Sequence, residues 1–210
     1  MYKVKEIFKS IQGEGYNSGK DSVFVRFAGC NLWNGKIKDK EKAVCNFCDT
    51  DFVGTNGKNG GVYRLKELVE IIDKVWHSSF SIEKKFVVLT GGEPLLQVDE
   101  KLVRSLKNIK YDVALETNGT INTMIDFDWI CVSPKDPNNW KLKRRDELKV
   151  IYPQNKFNLK HLLKLNFKHF FLQPKDDKFT RLNLDKTLNY CKHNKKWVPS
   201  FQFHKIIGME

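Results

Sequence analysis

Cys30, Cys45 and Cys48 form a C-x14-C-x2-C array with no fourth cysteine near it. In a reducing compartment, cysteines gathered this closely bind metal or do chemistry more often than they form disulfides. Structural zinc takes four protein ligands, so a zinc knuckle here needs a further Cys or His. Cys131 and Cys191 lie far along the chain on strand-like and helix-like patterns and read as core thiols, while His77 follows a helix and lacks a paired ligand. A [4Fe–4S] cluster tolerates three cysteines, because one iron is then left without a protein ligand and open to a small molecule. S-adenosylmethionine is such a molecule. Its amino group and carboxylate can chelate the open iron, and an electron passed to its sulfonium breaks a C–S bond to leave an adenosyl radical.

A second set of chemistry-bearing residues follows apolar runs. Residues 86–90 (FVVLT) lead into Gly91-Gly92-Glu93-Pro94, and 113–116 (VALE) into Thr117-Asn118-Gly119. Residues 129–132 (WICV) lead into Ser133-Pro134-Lys135, and 170–172 (FFL) into Gln173-Pro174-Lys175-Asp176. Each alone reads equally as an ordinary turn. Polar and glycine-rich residues after successive strands gather at one mouth of a parallel barrel, where such folds place their chemistry.

The elements that must position these groups are short apolar runs alternating with amphipathic stretches, the pattern of β/α units. Strands are expected at 22–28, 86–90, 113–116, 129–132, 147–151 and 170–172, and helices at 65–76, 99–107, 159–165 and 184–193. In the first helix Leu65, Leu68, Val69, Ile72, Val75 and Trp76 form one stripe, which is core. The 210 residues suit a single domain, 1–210, but are scant for eight β/α units. The expected fold class is therefore α/β, a partial (β/α) barrel, modified and shortened.

Composition narrows the setting. No apolar run approaches the roughly 20 residues of a membrane span. The start, Met1-Tyr2-Lys3-Val4-Lys5-Glu6, lacks an apolar signal core, so a cytoplasmic location is expected. The formal charge of +12 invites a nucleic-acid reading. However, lysines are spread from Lys3 to Lys205 and the densest run, 36–42, alternates with acids. A lysine-rich solvated surface or a bias toward anionic small molecules accounts for the charge.

The cysteine array and the glycine-rich turn resemble those of radical S-adenosylmethionine enzymes, with C-x14-C-x2-C in place of their usual C-x3-C-x2-C. The difference is an insertion at about 31–44 whose charged centre, 36–42, is expected to face solvent. The chain is similar, in particular, to the branch of the 7-carboxy-7-deazaguanine synthase family with this expanded spacing. Ile7-Phe8, Ile11-Gln12-Gly13-Glu14-Gly15, Arg26-Phe27-Ala28-Gly29-Cys30-Asn31-Leu32-Trp33 and Cys48-Asp49-Thr50-Asp51-Phe52 match it, and TGGEP, ETNG, SPK and QP follow in its order.

That resemblance implies a carbon–nitrogen lyase that turns 6-carboxy-5,6,7,8-tetrahydropterin into 7-carboxy-7-deazaguanine on the route to queuosine and related deazapurines. An adenosyl radical would take the hydrogen at C6, the substrate radical would contract its ring and recover a hydrogen, and ammonia would leave. The implied cofactors are a [4Fe–4S] cluster on Cys30, Cys45 and Cys48, S-adenosylmethionine, and Mg2+ on the hydroxyl of Thr50. For S-adenosylmethionine the family pattern points to Phe47, Gly92, Glu93, Glu116, Ser133, Pro134, Lys135, Gln173, Pro174, Lys175 and Asp176. For the substrate it points to Ile11, Gln12, Gly13, Glu14, Arg26, Thr90, His204 and the carboxylate of Glu210.

Several of these positions carry a plainer reading. Glu93 could brace its turn, Glu116 could orient neighbours, Arg26 could make an interstrand ion pair, and Thr50 could cap a turn. The implied partners are the small pterin, a flavodoxin or ferredoxin as electron donor, and a second copy in a homodimer, with no nucleic acid and no membrane. Another radical enzyme, an activase that makes a glycyl radical on a partner protein, is the nearest alternative. A zinc-bearing nucleic-acid module is the distant one.

Overall fold

The apolar runs become strands of one sheet. The computed structural model describes residues 1–79 and 84–208, with His204 and Ile207 described by their backbone. The strands are β1 (Tyr2–Ile11), β2 (Asp21–Phe27), β3 (Gly61–Tyr63), β4 (Phe86–Gly91), β5 (Asp112–Thr117), β6 (Trp129–Val132), β7 (Arg144–Tyr152), β8 (Asn166–Pro174) and β9 (Val198–Pro199). Their order is β3-β1-β2-β4-β5-β6-β7-β8-β9, and the sheet does not close on itself. It is antiparallel at β3-β1-β2 and parallel from β2 onward. The expected partial barrel is thus an open, mostly parallel α/β sheet.

Helices α1 (Leu65–Trp76), α2 (Glu100–Asn108), α3 (Leu159–Leu162), α4 (Thr180–His193) and α5 (Phe203–Ile207) complete the described chain, with short 3-10 turns at Ile37–Lys42, Pro94–Leu96 and Pro137–Asn139. Helix α1 buries Leu68, Ile72, Val75 and Trp76, the stripe read from its spacing. The Glu67 carboxylate accepts from the Arg64 N–H at 2.7 Å, satisfying one donor at the helix start. Asp99 does the same for α2 by accepting from Leu102 N at 2.9 Å, and it also takes the Tyr2 hydroxyl at 2.9 Å.

The two faces of the sheet differ. Val87, Leu89, Val113 and Leu115 belong to the main core with α1 and α2. On the other face Phe86, Val88 and Ala114 make a small separate cluster with Phe24 and Trp129. Because side chains alternate along a strand, this second face continues toward the strand ends as Arg26, Thr90, Glu116, Cys131 and Lys149. The register places Arg26 beside Thr90 and Glu116 beside Cys131, and Cys131 in turn lies beside Glu147. That face is apolar at one end and polar at the other.

Candidate active site

The polar ends of the strands and the loop from Cys30 to Asp51 enclose a cavity of about 340 Å³. Cys30, Cys45, Cys48, Phe47, Thr50, Gly92, Glu116, Ser133, Lys135, Gln173, Pro174, Lys175, Asp176, Ile11, Gln12, Glu14, Arg26 and Thr90 all line it. Glu93, Pro134 and Gly13 do not. Gly13 instead accepts from Phe203 N at 3.1 Å through its carbonyl. His204 falls in α5 with its side chain outside the described residues, and Glu210 lies outside them altogether.

All five cysteines are free thiols. Cys45 and Cys48 share a hydrogen bond that raises the first and lowers the second, and the ammonium of Lys135 draws both down. Burial pushes the Cys30 thiol up. Among the described residues no three His, Cys, Asp or Glu side chains converge tightly enough for a single ion. Three thiols that share a cavity without meeting at a point suit a multi-iron cluster better than one zinc.

The Cys30 turn is fixed from below. Glu93 N donates to Gly29 O at 2.9 Å, Gln97 Nε2 to Ala28 O at 2.8 Å, and Gly29 N to Phe52 O at 3.1 Å. A Cβ on Gly92 would stand 2.1 Å from Gly29 O, so only glycine lets these two backbones meet. Glu93 is fully buried and its carboxylate is occupied, accepting from Leu95 N (3.1 Å), Thr117 Oγ1 (2.8 Å) and Asn118 N (2.8 Å). It braces the Gly91-Gly92 turn against the end of β5. Asn118 extends the brace to the cysteine loop by donating to Asn31 Oδ1 at 3.0 Å.

The floor is built from carboxylates and the donors that hold them. Glu116 accepts from Gln12 Nε2 (3.1 Å) and Thr90 Oγ1 (3.2 Å). Glu14 accepts from Gln173 Nε2 (3.2 Å) and Gln202 Nε2 (2.9 Å), and it is ion-paired with Lys149. Lys149 also lies 3.9 Å from Glu116. Burial alone would push this lysine down, but the carboxylates of Glu116 and Glu14 outweigh it and hold it well above the usual lysine range. Beneath it Glu147 accepts from Tyr16 N and Trp129 Nε1, each at 3.2 Å, and from the Cys131 thiol at 3.4 Å; burial raises its carboxyl.

Arg26 reaches the cavity from β2 while its Nε donates to Glu6 across the β1–β2 pair at 2.7 Å. The interstrand ion pair considered from sequence is therefore present, and it is made through Nε. Lys135 donates to Ser133 Oγ at 2.7 Å and stands 5.8 Å over the Phe47 ring. Lys175 pairs with Asp177 at 3.1 Å. Lys205 bridges Asp49, just past Cys48, to Asp176 at the end of β8. Sequence alone does not point to Lys149, Glu147, Gln202 or Lys205 as site residues. For the first two, the alternation of Glu147 and Lys149 with Leu148 and Val150 was the available signal, a polar face inside a strand flanked by others.

Residues 41–172 match the Radical SAM superfamily model, a span that takes in Cys45 and Cys48 and starts after Cys30. The chain is 45% identical to a 7-carboxy-7-deazaguanine synthase of Burkholderia multivorans over 209 residues, 99% of each chain. It is 46% identical over the same length to the synthase of that name from Bradyrhizobium diazoefficiens, again covering 99% of each. The crystal structure of QueE from Escherichia coli superposes with a TM-score of 0.69 at 23% identity, covering 96% of this chain and 93% of that one, which shows a shared fold. With its length, its cavity-lining thiols and its sheet all accounted for, the chain belongs to the 7-carboxy-7-deazaguanine synthase family of the radical SAM superfamily.

Proposed function

We propose that this protein converts 6-carboxy-5,6,7,8-tetrahydropterin to 7-carboxy-7-deazaguanine with loss of ammonia, in the pathway to queuosine and other 7-deazapurines. The observation that carries the reading is one cavity that joins three thiols to a floor of carboxylates and an arginine. Superfamily membership implies a [4Fe–4S] cluster and S-adenosylmethionine. When bound, they supply a radical able to take a hydrogen atom from the substrate.

In this reading Cys30, Cys45 and Cys48 hold the cluster, and their shared cavity supports it. Phe47, Gly92, Ser133, Pro134, Lys135, Glu116 and 173–176 serve S-adenosylmethionine. Glu93 serves it by bracing the Gly91-Gly92 backbone, since its own carboxylate is already occupied. Gln12, Glu14 and Thr90 receive the pterin's donor-bearing edge. Arg26, anchored through Nε, presents the rest of its fork to the substrate carboxylate. Ile11, Gly13, His204 and Glu210 are assigned to the substrate by the family pattern.

Mg2+ at Thr50 belongs to the same proposal. One hydroxyl replaces little of the ion's hydration, so substrate oxygens must complete the shell. Thr50→Val should abolish stimulation of turnover by Mg2+ and leave cluster absorbance intact, while Thr50→Ser keeps most of the stimulation. A Thr50→Val enzyme that responds to Mg2+ as the parent does removes the ion from the scheme.

A flavodoxin or ferredoxin donor, a homodimer and a cytoplasmic setting complete the proposal. Among the described residues no helix is long and apolar enough to cross a membrane. The deciding experiment is anaerobic incubation of iron-loaded protein with the carboxy-pterin, S-adenosylmethionine and a reductant, read by mass detection. Product at the mass of 7-carboxy-7-deazaguanine is expected, and iron-loaded protein that forms none overturns the assignment.

A further inference from the structure

The donors on the cavity floor are spent on two carboxylates. Gln12 Nε2 and Thr90 Oγ1 point at Glu116, and Gln173 Nε2 and Gln202 Nε2 point at Glu14. Lys149 stands between the two acids, paired with Glu14 and 3.9 Å from Glu116. Its side chain is only 6% exposed, so the charge is shielded from water and salt. What remains for a ligand is acceptor capacity. Gln173 Oε1 is buried and has no partner among the described residues, an acceptor whose desolvation is uncompensated until a ligand N–H arrives.

We propose that Lys149 is a positioning residue that holds Glu14 and Glu116 together as acceptors, and that this acceptor floor, with Gln173 Oε1, selects a heterocycle edge bearing amidine-type N–H donors. The proposal deepens the pterin reading, rests on it, and moves Glu116 and Gln173, which bond the substrate-side Gln12, Thr90 and Glu14, from the S-adenosylmethionine set to the substrate. Like charges confined to one site disfavour each other's ionised form, and an intervening cation removes that penalty. Glu14 comes from the loop after β1, Glu116 from β5 and Lys149 from β7. The remaining titratable groups facing the lysine are Cys131 on β6 and Glu147 on β7, and these two satisfy each other through the thiol hydrogen bond. Without the lysine, one of the two acids takes up a proton and becomes a donor where the ligand edge also donates. Binding then weakens as pH falls and recovers as pH rises, whereas with the lysine in place it stays level.

The test compares Lys149→Met, which keeps an unbranched stem, with Lys149→Arg, which keeps the charge. The parent's KM for the carboxy-pterin should be nearly flat between about pH 6 and pH 8. Lys149→Met should raise KM roughly tenfold at the acid end, the loss of about one hydrogen bond to a charged group, and less at the alkaline end. Arginine should restore the flat profile, and kcat, S-adenosylmethionine affinity and cluster absorbance should hardly move. If Lys149→Met does not accumulate as folded protein, Lys149→Met combined with Glu116→Gln replaces it. With one carboxylate gone the lysine has nothing to separate, so the double variant should match Glu116→Gln alone within about threefold.

A flat KM profile in Lys149→Met overturns the proposal. So does a double variant much weaker than Glu116→Gln, or a loss that strikes both ligands equally and that arginine does not rescue. Failure of the pterin reading shows itself separately, as a parent enzyme that does not turn over the pterin at all.

Discussion

The cysteine loop and the strand floor face each other across the cavity and are built on opposite terms. In the loop, the 3-10 turn Ile37–Lys42 buries no residue and Ile37 is 86% exposed. On the floor, Lys149 is 5% exposed and Glu147 2%. The loop needs only its ends fixed. Cys30 is pinned through Gly29, Ala28 and Glu93, and Asp49 is tied to Lys205 just past Cys48. Closing fourteen intervening residues in place of three costs only roughly 1 kcal/mol in chain entropy. On the floor, by contrast, a shift of one residue in β7 would present Leu148 and Val150 where Glu147 and Lys149 stand. Length is free in one region and fixed to the residue in the other.

Substitutions can break that contrast. The largest effect is expected at a loop end. Parent protein should take up about four iron per chain on anaerobic reconstitution, and Cys45→Ala should lose the bound iron and its visible absorbance. One tightly held zinc with no iron uptake in the parent would count against the cluster. Next is the joint between the two regions. Gly92→Ala puts a Cβ against Gly29 O and should cost about 1–3 kcal/mol, seen as a lower Tm and reduced iron loading, because the displaced neighbour is the Cys30 turn.

Arg26→Lys keeps charge but loses the planar fork, so substrate binding should weaken by about 1.5–3 kcal/mol with S-adenosylmethionine binding unchanged. Equal loss of both ligands would mark Arg26 as only the partner of Glu6. The smallest effect is expected in the middle of the loop. Lys38→Ser combined with Glu41→Ser should stay within about 0.5 kcal/mol of the parent in thermal unfolding and keep its iron. A larger fall there would erase the distinction between free and fixed regions.

The same contrast explains what the sequence made legible. Parallel strands buried on both faces read as apolar runs, and β4, β5 and β6 fall where FVVLT, VALE and WICV place them. Strand β1 is hidden in the sequence because a register shift between Val4 and Glu6 breaks its alternation and leaves Val4 and Lys5 both buried. Strands β7 and β8 extend beyond their apolar centres, since edge residues such as Arg144 and Asn166 are held by pairing rather than by burial. The cysteines were visible because their chemistry is rare. Lys149 was not, because a lysine in a strand ordinarily lies on the solvated side, and only the fold brings Glu14, from the loop after β1, and Glu116, near the end of β5, to its flanks. Nor could spacing show that Lys205 reaches back to Asp49, a pairing made entirely by the way α5 docks.

A sheet that does not close has two borders, and borders invite strand addition from another molecule. Here the outermost strands are β3 and β9, three and two residues long. Each offers few unpaired backbone groups, although Val62 and Val198 are both exposed. Very short edge strands are among the devices by which natural sheets avoid templating aggregates. A half-finished barrel can thus keep one side open to its reactants without also being open to uncontrolled polymerisation.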